Sequence, residues 1–474
     1  MSAPDAISES ATDGEVKDPA RQDALEDGQL KQSFVQEVEE ALERGDDEEV
    51  QALAAPLHNA DIADLIEQFA PQDRAALAAA LGDQLDPEVL AEMDDEVRED
   101  LIDMLPPEQV AEVLGGLETD DAVAIVEDLD EADKQAVLRA LEPDERAAIE
   151  EALGYPEESA GRLMQRDLIA VPQDWDVGRV IDYLRGAEPD ALTDDFWEIY
   201  VVDARHHPIG TLRLSHLLRS PRATPVAQIM EGEQTLVPVG MDQEEVALRF
   251  QKYGLISAAV VDASERLVGM ITVDDILHII QQEADEDIRR LSGAEEGGIH
   301  ERTRDIVRQR LRWLVINLGT AVIASVVIGL FAGTIEQMVA LAILMPIVAS
   351  LGGNAATQTM TVTVRALATD ELTSSNTRRT IIKEIRVAII NGLAIACLIG
   401  IGAALYFSMP LLGVVIAAAM LGNIFVAGLA GVLIPIALDR ADVDPAISSS
   451  VFVTMTTDVM GFFMFLGLAS IVLL

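Results

Sequence analysis

Four hydrophobic patterns follow one another along the chain, and each predicts a different architecture. From Pro71 to Gly154 the sequence divides into seven blocks of twelve, beginning at residues 71, 83, 95, 107, 119, 131 and 143. The seventh position of each block reads Leu77, Val89, Leu101, Val113, Ile125, Val137 and Ile149, and the eleventh reads Leu81, Met93, Leu105, Leu117, Leu129, Leu141 and Leu153. Apolar residues four apart share one helical face, and starts such as PQDR, PPEQ and PDER place proline and acids in a first turn, where both are favoured. The pattern predicts short helices stacked as an α-helical solenoid over residues 31–155. Residues 1–30, rich in Asp, Glu, Ser and Ala, are expected to form a disordered acidic tail.

The second pattern is a repeat. IYVVDARHHPIGTLRLSHLL and AAVVDASERLVGMITVDDIL superpose at a constant offset of 59, with Val202 on Val261, Asp203 on Asp262, Gly210 on Gly269 and Leu218 on Leu277. Upstream, Met164 matches Met230 and Pro172 matches Pro238. Each copy reads strand, turn, strand, helix, which predicts two small α/β modules at 156–220 and 221–283. His206 and His207 fall in a predicted turn and are expected to face solvent. A third stretch, 284–310, has weak amphipathic periodicity interrupted by two glycines and predicts a helical connector.

The last pattern is a set of long apolar runs over 311–474, each near the roughly 20 residues that a bilayer-spanning helix needs. Five are predicted, at about 313–333, 337–364, 387–408, 411–438 and 446–474. Charge sharpens the division. The whole chain has 33 Lys and Arg against 82 Asp and Glu; seven and eight of these lie beyond residue 310, so the first 310 residues carry 26 against 74. One half is a polyanion and the other is nearly neutral. Basic residues cluster at Arg302, Arg304, Arg308, Arg310 and Arg312, and again between Arg365 and Arg386, so the positive-inside rule places the N-terminal half in the cytosol. Five spans then leave the C-terminus extracytoplasmic, in a multi-pass protein of the plasma membrane. MSAPDAISES lacks the features of a signal peptide, and the first span is expected to direct insertion. Only five lysines among so many acids is also the balance of a protein kept hydrated in high salt.

Within the apolar runs a few polar residues recur at helical spacing. Ser450, Thr454, Thr457, Asp458 and Gly461 form one stripe on the fifth span, and Ser350, Asn354, Thr357 and Thr361 form another on the second. Gly352, Gly353, Ala355 and Ala356 allow a neighbouring backbone to approach. A carboxylate at the centre of a span costs roughly 2.5 to 3.5 kcal/mol on insertion scales, and no Lys or Arg lies inside any run. Asp458 therefore needs a proton, water or an external cation. Ser and Thr in membrane helices also bond to their own backbone, which is the competing role for each hydroxyl. Cys397, the single cysteine, is read as an apolar filler.

The tandem modules resemble CBS domains. In that family a Gly-x-x-Thr/Ser-x-x-Asp string in the second module holds an adenosine nucleotide, and Gly269, Thr272 and Asp275 match it; Arg213 and His216 stand at the corresponding places of the first copy. A nucleotide such as ATP is thus implied at the second module. The competing reading is that Thr272 and Asp275 cap the helix beginning DDILHII.

GYPEESAGRLM, MPIVASLGGNAATQ and DPAISSSVFVTMTTDVMG resemble the signature strings of the MgtE family of magnesium channels, and the order of segments matches that family after about residue 30. The resemblance implies a multidomain protein: a helical solenoid N domain, a CBS pair, a connecting or plug helix and an all-α membrane domain of five helices. It implies a homodimer in the lipid bilayer with a pore at the subunit interface, where Asp458 binds Mg²⁺ and Asn354, Thr454, Ser450 and Thr357 line the path. It further implies regulatory Mg²⁺ between acidic surfaces, at Asp274, Glu295 and Asp444. Asp444 followed by proline is also a good helix N-cap pair. Mg²⁺ dehydrates reluctantly and favours one or two carboxylates plus retained waters, which suits two symmetry-related copies of Asp458.

Two departures bear on selectivity. Ala356 stands where the GGNxG string has glycine, and Ser450-Val451 replaces a segment that commonly holds proline. Co²⁺, Ni²⁺ and Mn²⁺ are accordingly alternative cargoes. A membrane-anchored nucleotide sensor without transport is the other rival, since its CBS pair would look the same. No zinc-protease string and no P-loop occurs, no catalytic residue is assigned, and the chain is not read as an enzyme or a nucleic-acid binder.

Overall fold

The computed structural model describes residues 24–26, 28–187, 192–193, 196–292, 303–369, 371–373, 375–441 and 443–474. It divides into two compact units at Ile279 and Ile280, each described here by itself.

In the first unit the twelve-residue period becomes a ladder of short helices. Pro71–Leu81, Asp95–Ile102, Pro107–Leu114, Thr119–Asp128, Glu131–Ala140 and Pro143–Ala152 each start at a block boundary. The block from residue 83 departs from the pattern: Gly82 has φ 55°, a 3-10 turn covers Gly82–Gln84, and the helix resumes at Pro87–Ala91, where Asp86 accepts from the Glu88 amide at 3.0 Å. Proline at the first helical position fits because its missing N–H would be unpaired there anyway. The repeated apolar positions supply the core, with Leu77, Leu81 and Val89 fully buried and Ile125, Val137 and Ile149 nearly so. Three earlier helices, Gln32–Arg44, Asp47–Ala54 and Asn59–Gln68, extend the ladder toward the N-terminus. The expectation of disorder over 1–30 falls largely on residues 1–23, outside the described residues. Its end is ordered, since β1 (Leu25–Glu26) and β2 (Gln29–Leu30) form a small hairpin.

The α/β repeat is a pair of three-stranded sheets. In the first, β3 (Ala170–Pro172) runs parallel to β4 (Glu198–Val202), which pairs antiparallel with β5 (Pro208–Arg213). In the second, β6 (Leu236–Pro238), β7 (Ser257–Val261) and β8 (Leu267–Thr272) repeat that order. Register is conserved at the 59-residue offset: Val201 faces Gly210 and Val260 faces Gly269, with an irregularity one residue later in both. The matched aspartates shape the matched turns, Asp203 accepting from the Arg205 and His207 amides and Asp262 from those of Ser264 and Arg266. His206 is exposed as expected. His207 departs from expectation: it is partly buried, and its ring nitrogen bonds Asp203 at 3.2 Å.

The two sheets exchange their leading segments. Gln165, ahead of the first module, pairs with Met270 on β8, while Glu231, ahead of the second, pairs with Thr211 on β5. This exchange explains the matched glycines, because a side chain at Gly210 would meet the Glu231 carbonyl at 2.7 Å and one at Gly269 would meet the Gln165 carbonyl at 2.9 Å. Between the sheets lie Tyr200, Val202, Ala259, Leu267 and Met270, and the Tyr200 hydroxyl bonds the Ser257 hydroxyl at 3.0 Å.

The connector differs from a separate helix over 284–310. The last helix of the second module runs unbroken from Val273 to Ser292, because QQEADEDIRR contains no breaker, and the helix of the first span already begins at Thr303. Residues 293–302 lie outside the described residues.

In the second unit five helices are long and apolar enough to cross a membrane: Ile306–Leu330, Ala340–Ala368, Thr377–Tyr406, Pro410–Asp439 and Ser449–Val472. The first and third start about seven to ten residues before the apolar runs do, since charged turns continue a helix as readily as apolar ones. GTIEQ, read as a loop, belongs to a short helix, Ala332–Gln337. The fourth span is the most buried and packs against the second, third and fifth. Small residues permit this: a side chain at Gly413 would collide with the Gly400 carbonyl, and one at Gly431 would meet the Ala356 carbonyl at 2.8 Å.

Gly269→Val is expected to destabilise the module pair by about 1–3 kcal/mol, the usual cost of overpacking. Gly240→Val, at a position with nothing within 4 Å, serves as the unaffected control. Denaturant titration of the full chain, followed by tryptophan fluorescence, measures the difference.

Candidate functional site

The two polar stripes of the membrane unit come from helices that pack directly on one another, the second and fifth spans. On the second span Ser350, Asn354, Thr357 and Thr361 are all exposed on the surface of the chain, while Gly352, Ala356, Met360 and Thr363 turn inward. On the fifth, Thr454 is exposed and Ser450 and Asp458 are partly so. These three residues are four apart and form one row about 12 Å long at 1.5 Å per residue. The predicted stripe is narrower than its sequence pattern. Thr457 is fully buried, its hydroxyl donating to the carbonyls of Val453 at 3.2 Å and Thr454 at 3.0 Å, and Gly461 is covered by the fourth span. Thr457 lies at the edge of the stripe, where the packed face begins.

Among the described residues Asp458 makes no hydrogen bond and no ion pair. Its row holds only hydroxyls, and the row beside it adds the Asn354 amide. Such a donor set suits a hard cation that keeps its water. Ala356, the departure from the GGNxG string, is buried on the side of the fourth span, away from the polar row. Ser450, the other departure, lies on the row.

Asp444 carries two loads. One carboxylate oxygen caps the fifth helix through the Ala446 amide at 2.7 Å, and the other accepts from Arg290 at 2.9 Å. Arg290 also pairs with Glu286 on its own helix. Burial, then the nearby Asp444, pushes the Asp287 carboxyl above its usual range. Glu295 lies outside the described residues.

A second carboxylate group forms within the first unit, between the helical ladder and the second module. Glu118, Asp120 and Asp121 open the helix Thr119–Asp128, and Asp274 and Asp275 open the helix Val273–Ser292. Burial and then the charge of Asp275 push Glu118 up to about 7 and Asp121 up to about 6. The same causes hold Asp120 well above the ordinary range, and one of its oxygens is buried without a hydrogen bond. Desolvation also raises Asp275, against a bond from the Thr272 hydroxyl at 2.7 Å. Among the described residues no three His, Cys, Asp or Glu side chains converge as a ready metal cage.

Asp275 thus belongs to this cluster as well as to the nucleotide string. Thr272 bonds Asp275, Gln165 reaches Thr272 at 3.3 Å and Glu118 at 2.9 Å, and Gly269 is held by the crossing segment. The string's polar groups are engaged in a helix cap, the competing reading given above. In the first module Arg213 bonds Glu231 at 3.0 Å, and His216 lies 3.8 Å from the same carboxylate.

Sequence reasoning singled out Asp274 and Asp275 but missed Glu118, Asp120 and Asp121. Nothing distinguishes ETDD at 118–121 from the other acidic block starts until the fold sets it opposite a second acidic helix start. It also missed Asn423, fully buried in the fourth span, whose amide donates to the Val348 carbonyl at 3.0 Å. Its signal was present, because Asn423 is the single polar side chain of that 30-residue helix before its last residue, Asp439.

A helical repeat domain, a pair of α/β modules and five apolar helices, the last of which carries a mid-span carboxylate with no partner among the described residues, define a multi-pass membrane protein with a large portion outside the spans. Family models match in the same order: an MgtE intracellular N domain at 57–158, a CBS domain at 226–282 and the MgtE divalent cation transporter domain at 345–468. The magnesium transporter MgtE of Thermus thermophilus is 36% identical over 322 residues, 67% of this chain and 71% of that protein. Its counterpart in Bacillus subtilis is 30% identical over 67% of this chain and 70% of that one. A crystal structure of the cytosolic domain of the Mg²⁺ channel MgtE in complex with ATP is 32% identical, with a TM-score of 0.48, over 52% of this chain and 99% of that chain. The chain belongs to the MgtE family.

The acidic cluster makes the first unit sensitive to pH. Carboxyls raised above their unfolded values favour the protonated form in the packed state, so the stability that this cluster contributes is full below about pH 4 and is lost as pH rises through about 6 to 7. For Asp121 the rise from 3.8 to about 6 corresponds to on the order of 3 kcal/mol. Thermal unfolding between pH 4 and 8 without divalent ions is expected to show this loss. Asp120→Asn or added Mg²⁺ is expected to flatten it.

Proposed function

We propose that this chain carries Mg²⁺ across the plasma membrane as a homodimeric channel or transporter that cytosolic Mg²⁺ closes. The observation that carries the reading is Asp458: a carboxylate inside an apolar helix, partly exposed, unpartnered among the described residues, and in one row with Ser450 and Thr454. Two such rows across a two-fold axis would offer a passing divalent ion two carboxylates. The hydroxyls of Ser450, Thr454 and Thr357 and the amide of Asn354 would hold its retained waters. One ion neutralises both charges, and a single ring of carboxylates binds weakly enough to release. Exposure of the second span's row on the single chain supports a position at the subunit interface. Transport of this kind needs no covalent step. Membrane charge supports the orientation: Arg365, Arg378, Arg379, Lys383 and Arg386 gather at one end of the second and third spans, as expected if that end and the N-terminus face the cytosol.

The regulatory reading rests on the second cluster. Glu118, Asp120, Asp121, Asp274 and Asp275 repel one another in a partly desolvated space, and the unpaired Asp120 oxygen fits a missing cation. Mg²⁺ held there through water would draw the ladder onto the second module, and closure follows from its tighter binding to that arrangement. Asp444 and Glu295 would supply a further site near the fifth span, where Arg290 now holds Asp444. A nucleotide such as ATP at Gly269, Thr272 and Asp275 would have to share Asp275 with the acidic cluster, so bound nucleotide and regulatory Mg²⁺ would influence one another. Co²⁺, Ni²⁺ and Mn²⁺ remain the competing cargoes. The inward-facing Ala356 gives no reason to prefer them.

In liposomes with a Mg²⁺-sensitive dye, Asp458→Asn is expected to lower Mg²⁺ flux at least tenfold, and Asp120→Asn combined with Asp275→Asn to leave flux insensitive to Mg²⁺ on the cytosolic side. Equal flux from wild type and Asp458→Asn refutes the pore. Preserved sensitivity in the double variant refutes the regulatory cluster.

A further inference from the structure

The fourth span buries one polar side chain in its interior, and the transport reading leaves it without a task. Asn423 is fully buried at the crossing of the second, fourth and fifth spans. Its Nδ2 donates to the Val348 carbonyl of the second span at 3.0 Å, and its Oδ1 is buried without a hydrogen-bond partner. The amide orientation is fixed by chemistry, since a carbonyl can only accept. Two glycines make room for it. A Cβ at Gly352 would lie 2.2 Å from Nδ2, and a Cβ at Gly461 would lie 2.7 Å from Nδ2 and 3.0 Å from Oδ1.

Each of these glycines lies within one turn of a pore residue. Gly352 precedes Asn354 by two residues, and Gly461 follows Asp458 by three. Asn423 is therefore the one side chain of the fourth span that bonds the second span while pressing on the fifth, at the level where their polar rows run side by side. A hydrogen bond inside a membrane protein lacks competition from water, and close glycine contacts leave little slack for sliding.

We propose that Asn423 is a positioning residue for ion selection: it braces the second and fifth spans in one register, and so fixes Asn354 and Thr357 relative to Asp458. Mg²⁺ demands a narrow, near-octahedral shell, whereas Ca²⁺ accepts more ligands in looser geometry. Loss of the brace should therefore weaken Mg²⁺ selectively. The inference rests on the transport reading for its consequence and on the packing alone for its geometry.

The test uses the full chain in liposomes, with wild type, Asn423→Leu of similar volume, Asn423→Ala, and Gly402→Ala on the third span as a control at a position with nothing within 4 Å. Uptake of Mg²⁺ and Ca²⁺ is titrated, and backbone amide exchange is followed over residues 345–358. For the Asn423 variants the half-saturating Mg²⁺ concentration is expected to rise several-fold, discrimination against Ca²⁺ to fall several-fold, maximal flux to change less, and exchange around Val348 to Gly352 to quicken. Unchanged selectivity with a functioning wild type overturns the proposal, as does unchanged exchange whatever the flux. Failure of both variants to fold assigns Asn423 to packing alone and overturns it too. Wild-type vesicles that carry no Mg²⁺ overturn the transport reading instead, and amide exchange still decides whether the brace exists.

Discussion

A carboxylate beyond the reach of any basic side chain has three ways to exist: protonated, hydrated, or beside a cation. That constraint operates twice in this chain. Asp458 meets it in an apolar helix, and Glu118, Asp120 and Asp275 meet it where the helical ladder faces the second module. A channel that is both filled and shut by one ion needs such a pair of sites. In the membrane unit the constraint falls on one carboxylate per chain, in a row with hydroxyls. In the first unit it falls on several carboxylates that share one desolvated space.

The surrounding fold keeps these acids from finding easier partners. Short helices and a glycine-rich membrane core both bring backbones close while using few long basic side chains. Where a base is present the outcome differs. Arg290 takes Asp444, and Arg213 takes Glu231, so neither acid is left in the state of Asp458 or Asp120.

Much of this architecture was legible in the sequence because it is periodic. A twelve-residue spacing, a 59-residue offset and five apolar runs each repeat a physical requirement often enough to stand out. The fold class follows from them, and so does the singling out of Asp458, because one charge in a long uncharged run is conspicuous. What escaped was whatever depends on a neighbour distant in the chain. Thr457 reads as part of a polar stripe until packing buries it. Asn423 disappears in a window average, because one amide barely lowers the hydropathy of thirty residues. Glu118 to Asp121 look like another helix start. The helix of the second module runs past the expected boundary at 283 for a local reason: a charged, breaker-free stretch continues it to Ser292.

The exchange of leading segments between the two sheets reaches beyond the present-day molecule. Gln165 completes an edge that belongs to the later half, and Glu231 completes one that belongs to the earlier half. Neither half cut out alone would own all of its own border, and each would display a raw strand to solvent. An ancestor with a single copy would have had to borrow that missing piece from a second molecule, so fusion of two genes would have turned a partnership between chains into an arrangement within one.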